Sequence, residues 1–332
     1  MTRKMTRRSV IQAGSALGAV ALWPFAARAD ISDVPRSDYG FATTADEVVA
    51  GLDLSGKTVL VTGCNSGLGY ESMRVMAARG AHVIGTARTQ EKADKACASV
   101  TGKTTPLVCE LTDFDNIVAC SRQVQALNVP LDVLMCNAGI MALPKLEQVY
   151  GLEKQFVVNH LGHYLLTRRL LPQVESAPAG RIVTLSSIGY RNAPKEGIQF
   201  DNLSGEKGYN PFRNYGQTKL ATALFSRELA RRYADTSLTS NSVHPGMVAT
   251  NLGRYITGKP RDPDAPVRKG FKTAVQGAAT QVYVSADPRL AGVSGYYFED
   301  CNPVVPDSPY MRDDAMALKL WQVSEELTAD YL

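Results

Sequence analysis

From Lys57 onward the chain alternates short, β-branched apolar runs with helix-length stretches. The runs are 58–61, 82–84, 106–108, 131–135, 181–185 and 239–243; the intervening stretches are roughly 67–79, 91–100, 113–127, 150–172 and 214–234. Strands apolar along nearly their whole length, and not only at every second position, are buried on both faces. Alternation with helices then predicts a parallel sheet whose right-handed crossovers cover both sides. The expected fold class is α/β, a single doubly wound domain over residues 52–332. No repeat of solenoid period and no interdomain linker interrupts it. Residues 30–51, with Pro35, Gly40, Gly51 and little periodicity, read as a lead-in segment.

The first 29 residues follow another plan. Arg3, Lys4, Arg7 and Arg8 form a positive leader, and residues 9–27 carry no charge. Ala27-Arg28-Ala29 supplies small residues two apart. Together they read as a secretory signal, cleaved after Ala29. The Arg7-Arg8 pair and the Gly/Ala-rich, mildly apolar run resemble a twin-arginine signal, so export by that translocase to the periplasm or beyond is expected. That route carries folded proteins, often with a cofactor inside. The alternative is an uncleaved amino-terminal anchor, since the 19 uncharged residues approach the ~20 that span a bilayer. No later stretch has that character, so no membrane span is expected in the mature chain.

Charge sharpens this division. The 332 residues hold 36 Lys+Arg and 32 Asp+Glu. Five of the basic residues lie in the leader, which leaves 31 basic against 32 acidic side chains in the body. A nucleic-acid-binding body would need a basic excess of its own, so that class is excluded. The six cysteines (Cys64, Cys97, Cys109, Cys120, Cys136, Cys301) form no C-x-x-C pair and read as core thiols, with oxidation of a pair left open by export. His160 and His163 are three apart, but no third ligand accompanies them, so no metal site is expected.

The first strand runs into Thr62-Gly63-Cys64-Asn65-Ser66-Gly67-Leu68-Gly69 and then a helix. Glycines at 63, 67 and 69 permit a tight turn and close backbone approach, and the following helix presents free N–H groups to a pyrophosphate. Asn65, Ser66 and Leu68 belong to the same cradle. The spacing is G-x-x-x-G-x-G and not G-x-G-x-x-G. The second strand ends Ala87-Arg88. A carboxylate there would hold the ribose hydroxyl of NAD, whereas Arg88 suits the 2′-phosphate of NADP; NADP(H) is preferred, with NAD(H) as the alternative.

Tyr215 and Lys219 stand at i and i+4, on one face of a helix. An ammonium beside a phenol favours phenolate, and a tyrosine so tuned can exchange a proton with an alcohol oxygen. With this pair in place, the chain resembles the short-chain dehydrogenase/reductase family over residues 52–330, and that resemblance implies a Rossmann-type domain. Asn137-Ala138-Gly139 after the fourth strand, Asn159 in Val158-Asn159-His160-Leu161-Gly162-His163, Ser186-Ser187 after the fifth strand and the 244–250 run after the sixth carry it further.

The resemblance implies roles. Tyr215 would be the general acid/base. Lys219 would lower its pKa and bind the nicotinamide ribose. Ser187 would hold the substrate oxygen, and Asn159 the proton-relay water. Gly63, Gly67 and Gly69 would cradle the pyrophosphate, and Asn137, Ala138 and Gly139 would support the adenosine half. Pro245, Gly246, Val248 and Thr250 would hold the nicotinamide carboxamide. The family often places Asp after the third strand; this chain has Glu110 followed by Leu111. The long interval from Ser187 to Tyr215 and the 159–167 run look like the retinol-dehydrogenase-like branch, which implies a lipophilic alcohol or carbonyl substrate. Residues 251–270 would form a lid. Two other readings remain: double-bond reduction of the protochlorophyllide-reductase kind, resembled also at 320–327, and dinucleotide binding without turnover.

Overall fold

The computed structural model describes residues 31–262 and 265–332; the leader 1–29 lies outside them. Ten strands are present among the described residues: β1 (Thr58–Thr62), β2 (His82–Ala87), β3 (Thr104–Val108), β4 (Val133–Cys136), β5 (Gln148–Val149), β6 (Leu152–Glu153), β7 (Arg181–Leu185), β8 (Thr239–His244), β9 (Tyr297–Glu299) and β10 (Asn302–Val304). Eight form one sheet in the order β3-β2-β1-β4-β7-β8-β9-β10. All pairings in it are parallel except the closing β9–β10 hairpin.

The main helices are α1 (Ala45–Val48), α2 (Gly67–Ala78), α3 (Gln90–Ala98), α4 (Phe114–Ala126), α5 (Lys154–Phe156), α6 (Gly162–Glu175), α7 (Pro211–Arg232), α8 (Arg254–Thr257), α9 (Ala274–Ala286) and α10 (Asp314–Thr328). A π turn, Val157–Leu161, joins α5 to α6. Alternate strand side chains enter different cores. Leu60, Leu134 and Ile182 pack beneath α4, α6, α7 and α10, whereas Val59, Val61, Val133, Met135 and Val183 pack beneath α1, α2 and α9. Both faces are buried, which explains why β1, β4 and β7 are apolar on both sides. Among the described residues, no helix is long and apolar enough to cross a membrane.

The architecture is the doubly wound α/β domain expected. The helix expected at 150–172 begins only at Lys154, because 148–153 fold into the β5–β6 hairpin and the buried Glu153 carboxylate caps the new helix start. The lead-in carries α1, closed by a Thr44–Glu47 capping box, and Val34, Val48 and Val49 are buried in the second core. All six cysteines are buried thiols.

The strand order reverses between β1 and β4. Open α/β sheets bind ligands at the carboxyl ends of the strands flanking that reversal.

Candidate active site

The loops after β1 and β4 meet at this crevice. Thr62, the last residue of β1, accepts the main-chain N–H groups of Asn137 (2.9 Å) and Ala138 (3.0 Å) on its hydroxyl, and the Asn137 side-chain amide donates to the Thr62 carbonyl at 2.7 Å. Gly63 and Gly67 have φ of +71° and +58°. Gly69 is constrained by space instead: a Cβ there would lie 2.3 Å from the Gly63 carbonyl oxygen and 2.5 Å from the Asn137 amide nitrogen. The turn and the Asn137-Ala138-Gly139 segment are therefore built against each other.

Ser66 is the N-cap of α2, yet its side chain makes no capping hydrogen bond. The first N–H groups of a twelve-residue helix are thus left for an anion, on a turn where a side chain at Gly69 would not fit. This fits a dinucleotide pyrophosphate. Asn65 and Ser66 are exposed at the turn, and Leu68 packs towards α9. Arg88, one residue past β2, is exposed and has no hydrogen-bond or ion-pair partner among the described residues. The Glu110 carboxylate accepts from the Thr112 N–H (3.0 Å) and hydroxyl (2.9 Å), within its own loop. Leu111 is buried, and its carbonyl would lie 2.7 Å from a Cβ on Gly162.

On the other side, the loop after β8 reaches over the glycine turn. Thr250 Cγ2 would lie 3.4 Å from a Cβ on Gly67, and Val248 pairs with Lys272 in an isolated bridge. Gly246 has φ of +88° and lies against the Lys272 stem, after Pro245.

The residues expected to be catalytic converge below this loop. The π turn positions Asn159, which accepts the Ile140 N–H and donates to the Ile140 carbonyl and Thr218 hydroxyl, each at 2.9 Å. Such turns concentrate at functional sites. Ser186 and Ser187 point different ways. Ser186 donates to the Lys219 carbonyl at 2.7 Å and is structural, whereas Ser187 caps a short 3-10 turn with its hydroxyl on the Tyr215 side, both lying against Gly189.

Tyr215 is 5% exposed, and burial pushes its phenol up to about 12, against the opposing pull of the Ser187 hydrogen bond. Lys219 is pulled down to about 8 by burial and donates to the Leu185 carbonyl at 2.7 Å, with its ammonium 5.6 Å from the centre of the Tyr215 ring. The expected lowering of the tyrosine by the lysine is therefore not present in this state, because burial outweighs it.

Two contributors lacked a sequence signal. Gln281 of α9 donates to Ser72 (2.7 Å) and Asn137 (3.3 Å) across the cofactor turn. Lys272, only 1% exposed, is paired with Asp300 and pins the 247–249 loop through its backbone. Their partners are distant in sequence, so spacing could not reveal them. Thr62 and His163 stood inside quoted motifs, but their roles depend on contacts.

The sequence profile described as short chain dehydrogenase matches residues 57–260. The chain is 39% identical over 304 residues to short-chain dehydrogenase TIC 32 B, chloroplastic, of Brassica napus, covering 88% of this chain and 95% of that one. It is 38% identical to retinol dehydrogenase 14 of Homo sapiens, over 82% of this chain and 86% of that one. A crystal structure from Mycobacterium Paratuberculosis superposes with a TM-score of 0.69 at 32% identity, covering 87% of this chain and 98% of that one. The chain belongs to the short-chain dehydrogenase family. It is an NAD(P)-dependent oxidoreductase.

The buried lysine has a measurable consequence. Between about pH 8 and 10 the unfolded chain holds a proton on Lys219 that the folded, cofactor-free chain has lost, so this group makes stability rise with pH across that window. Urea midpoints of the native chain should climb relative to those of Lys219→Met from pH 8 to 10; parallel curves would refute the assignment.

Proposed function

We propose that this protein transfers hydride between a nicotinamide and an alcohol or carbonyl carbon of a lipophilic substrate, with NADP(H) preferred and Tyr215 as general acid/base. The observation that carries this reading is the convergence of the Ser187 hydroxyl and the Tyr215 ring beside Gly189, with Lys219 one helical turn on, beside a glycine turn that fits a pyrophosphate. The cofactor, when bound, supplies or takes the hydride.

The remaining work falls to the chain. The Ser187 and Tyr215 hydroxyls hold the substrate oxygen, and burial keeps the Tyr215 proton in place until that oxygen develops charge. Lys219, close to neutral pH in its titration, has its ammonium 5.6 Å from the centre of the Tyr215 ring, and Asn159 ties the Ile140 segment to Thr218, the residue before Lys219. Free of internal partners, Arg88 is available to pair with a 2′-phosphate. The likeness to retinol dehydrogenase 14 supports a lipophilic alcohol. The positive leader and small-residue cleavage site support export to the periplasm with the cofactor inside the folded protein.

Tyr215→Phe should lower turnover of retinol with NADP by 10²–10⁴-fold while leaving nucleotide affinity within about twofold, as expected when one positioned proton donor is removed. A fully active variant would overturn the role. Separately, Arg88→Ser should weaken NADPH binding by roughly 10–100-fold and NADH binding little, the loss of charge-assisted bonds worth ~1.5–3 kcal/mol. Equal loss of both nucleotides would exclude Arg88 as the phosphate reader.

A further inference from the structure

The two histidines of the 159–163 run are both fully buried, and they do different things. His160 Nε2 lies 2.7 Å from the Ser324 hydroxyl of α10, among Phe156, Tyr164 and Phe225, and ties the π turn to the carboxyl-terminal helix. His163 turns the other way, into the site. Its Nε2 lies 2.9 Å from the Thr62 hydroxyl and its Nδ1 lies 3.3 Å from the Asn159 carbonyl oxygen.

Elementary hydrogen-bond accounting then fixes the ring. A carbonyl oxygen only accepts, so Nδ1 must carry the proton. Nε2 is then a bare acceptor and must receive the Thr62 hydroxyl proton. That leaves the Thr62 oxygen lone pairs for the two N–H groups that reach it, from Asn137 and Ala138. The Asn137 N–H is shared with the Met135 carbonyl at 3.0 Å, and each hydrogen bond in this chain of contacts has one consistent direction. The Nε2–H tautomer would leave the Asn159 carbonyl facing a lone pair. It would also place a third donor on the Thr62 oxygen.

We infer that His163 is a positioning residue that couples the cofactor turn to the turn bearing Asn159, through a neutral ring held as the Nδ1–H tautomer. It touches neither substrate nor cofactor. It acts on the cofactor side through Thr62, which clasps Asn137 and Ala138, and on the catalytic side through the main chain of Asn159. The side-chain amide of Asn159 is fully occupied by Ile140 and Thr218. Burial, with the nearby Lys219 charge, pulls the ring down to about 4 against the opposing Asn159 bond, so it stays uncharged throughout the neutral range. A charged ring would need Nε2 to donate to Thr62, which would drive the Thr62 proton to the Met135 carbonyl at 3.4 Å and loosen the clasp.

Two measurements on the full chain test this, and neither depends on turnover, so they can fail while the hydride-transfer reading stands. With ¹⁵N-histidine labelling and His163→Gln as the assignment control, the His163 signals should report a neutral Nδ1–H ring, unchanged from pH 8 to pH 6. An Nε2–H tautomer, the form free histidine prefers, or a protonated ring at pH 6 would overturn the inference.

Amide exchange supplies the second measurement. In His163→Phe, which keeps an aromatic ring but neither bond, the Asn137 and Ala138 amides should exchange about five- to tenfold faster than in the native chain, as expected for one weakened bond. His163→Gln, whose amide has both a donor and an acceptor, should restore them. Unchanged exchange at those amides, or acceleration spread evenly over the chain and not restored by Gln, would show a packing role only.

Discussion

The close approach between the glycine turn and Asn137 is the constraint on which the rest depends. Two parallel strands, β1 and β4, end side by side at the point where the sheet reverses its order, and their loops would otherwise diverge. Thr62 and Asn137 bind them with three hydrogen bonds, and Gly69 is packed so tightly into the joint that no side chain could enter. This gives the α2 amino terminus a fixed position relative to the Asn137-Ala138-Gly139 segment. That segment in turn is held from below by Asn159, so the pyrophosphate cradle and the catalytic floor share one rigid support.

The carboxyl-terminal third braces this support from behind. Gln281 reaches through the second core to Asn137 and the first turn of α2, and Lys272, pinned by Asp300, fixes the loop bearing Val248. The lead-in joins the same brace, since Ser37 and Tyr39 hydrogen-bond to Cys301 and Asn302 of the β9–β10 turn. The Gln281 amide nitrogen and the Lys272 ammonium both meet partners; an unpaired buried donor would cost about 1–3 kcal/mol.

Much of the sheet was legible because β1, β2, β4 and β7 are rich in apolar, β-branched residues on both faces: β7 was predicted at its observed bounds, and β1, β2 and the more polar β8 to within a few residues. The glycine turn, Asn159, Ser187, Tyr215 and Lys219 were legible from motifs, and the structure brings the last four together with Asn137. The hairpin at 148–153 was not, because its polar residues sit in a window with helical periodicity, and only the Glu153 cap reveals where the helix starts. Helices α9 and α10 escaped notice because α9 is buried on most sides and lacks an amphipathic stripe. Glu110 stands where the family often has Asp, and its side chain bonds Thr112, a contact that spacing could not show.

Burial sets the electrostatic character of the site. Tyr215 is held protonated and Lys219 is brought near neutral pH by the same desolvation, without a close ion pair between them. A tyrosine in that state is an acid waiting for developing charge, which suits proton exchange with an alcohol oxygen better than nucleophilic attack.

Titration of the native chain and of Gly69→Ala with NADPH, followed by nucleotide fluorescence, tests the central claim most directly. A methyl group at that position must displace the Gly63 carbonyl or the Asn137 amide. The account predicts that the native chain binds NADPH and that the variant, still folded by circular dichroism, binds at least 100-fold more weakly. A Gly69→Ala chain that binds NADPH as tightly as the native one would contradict it.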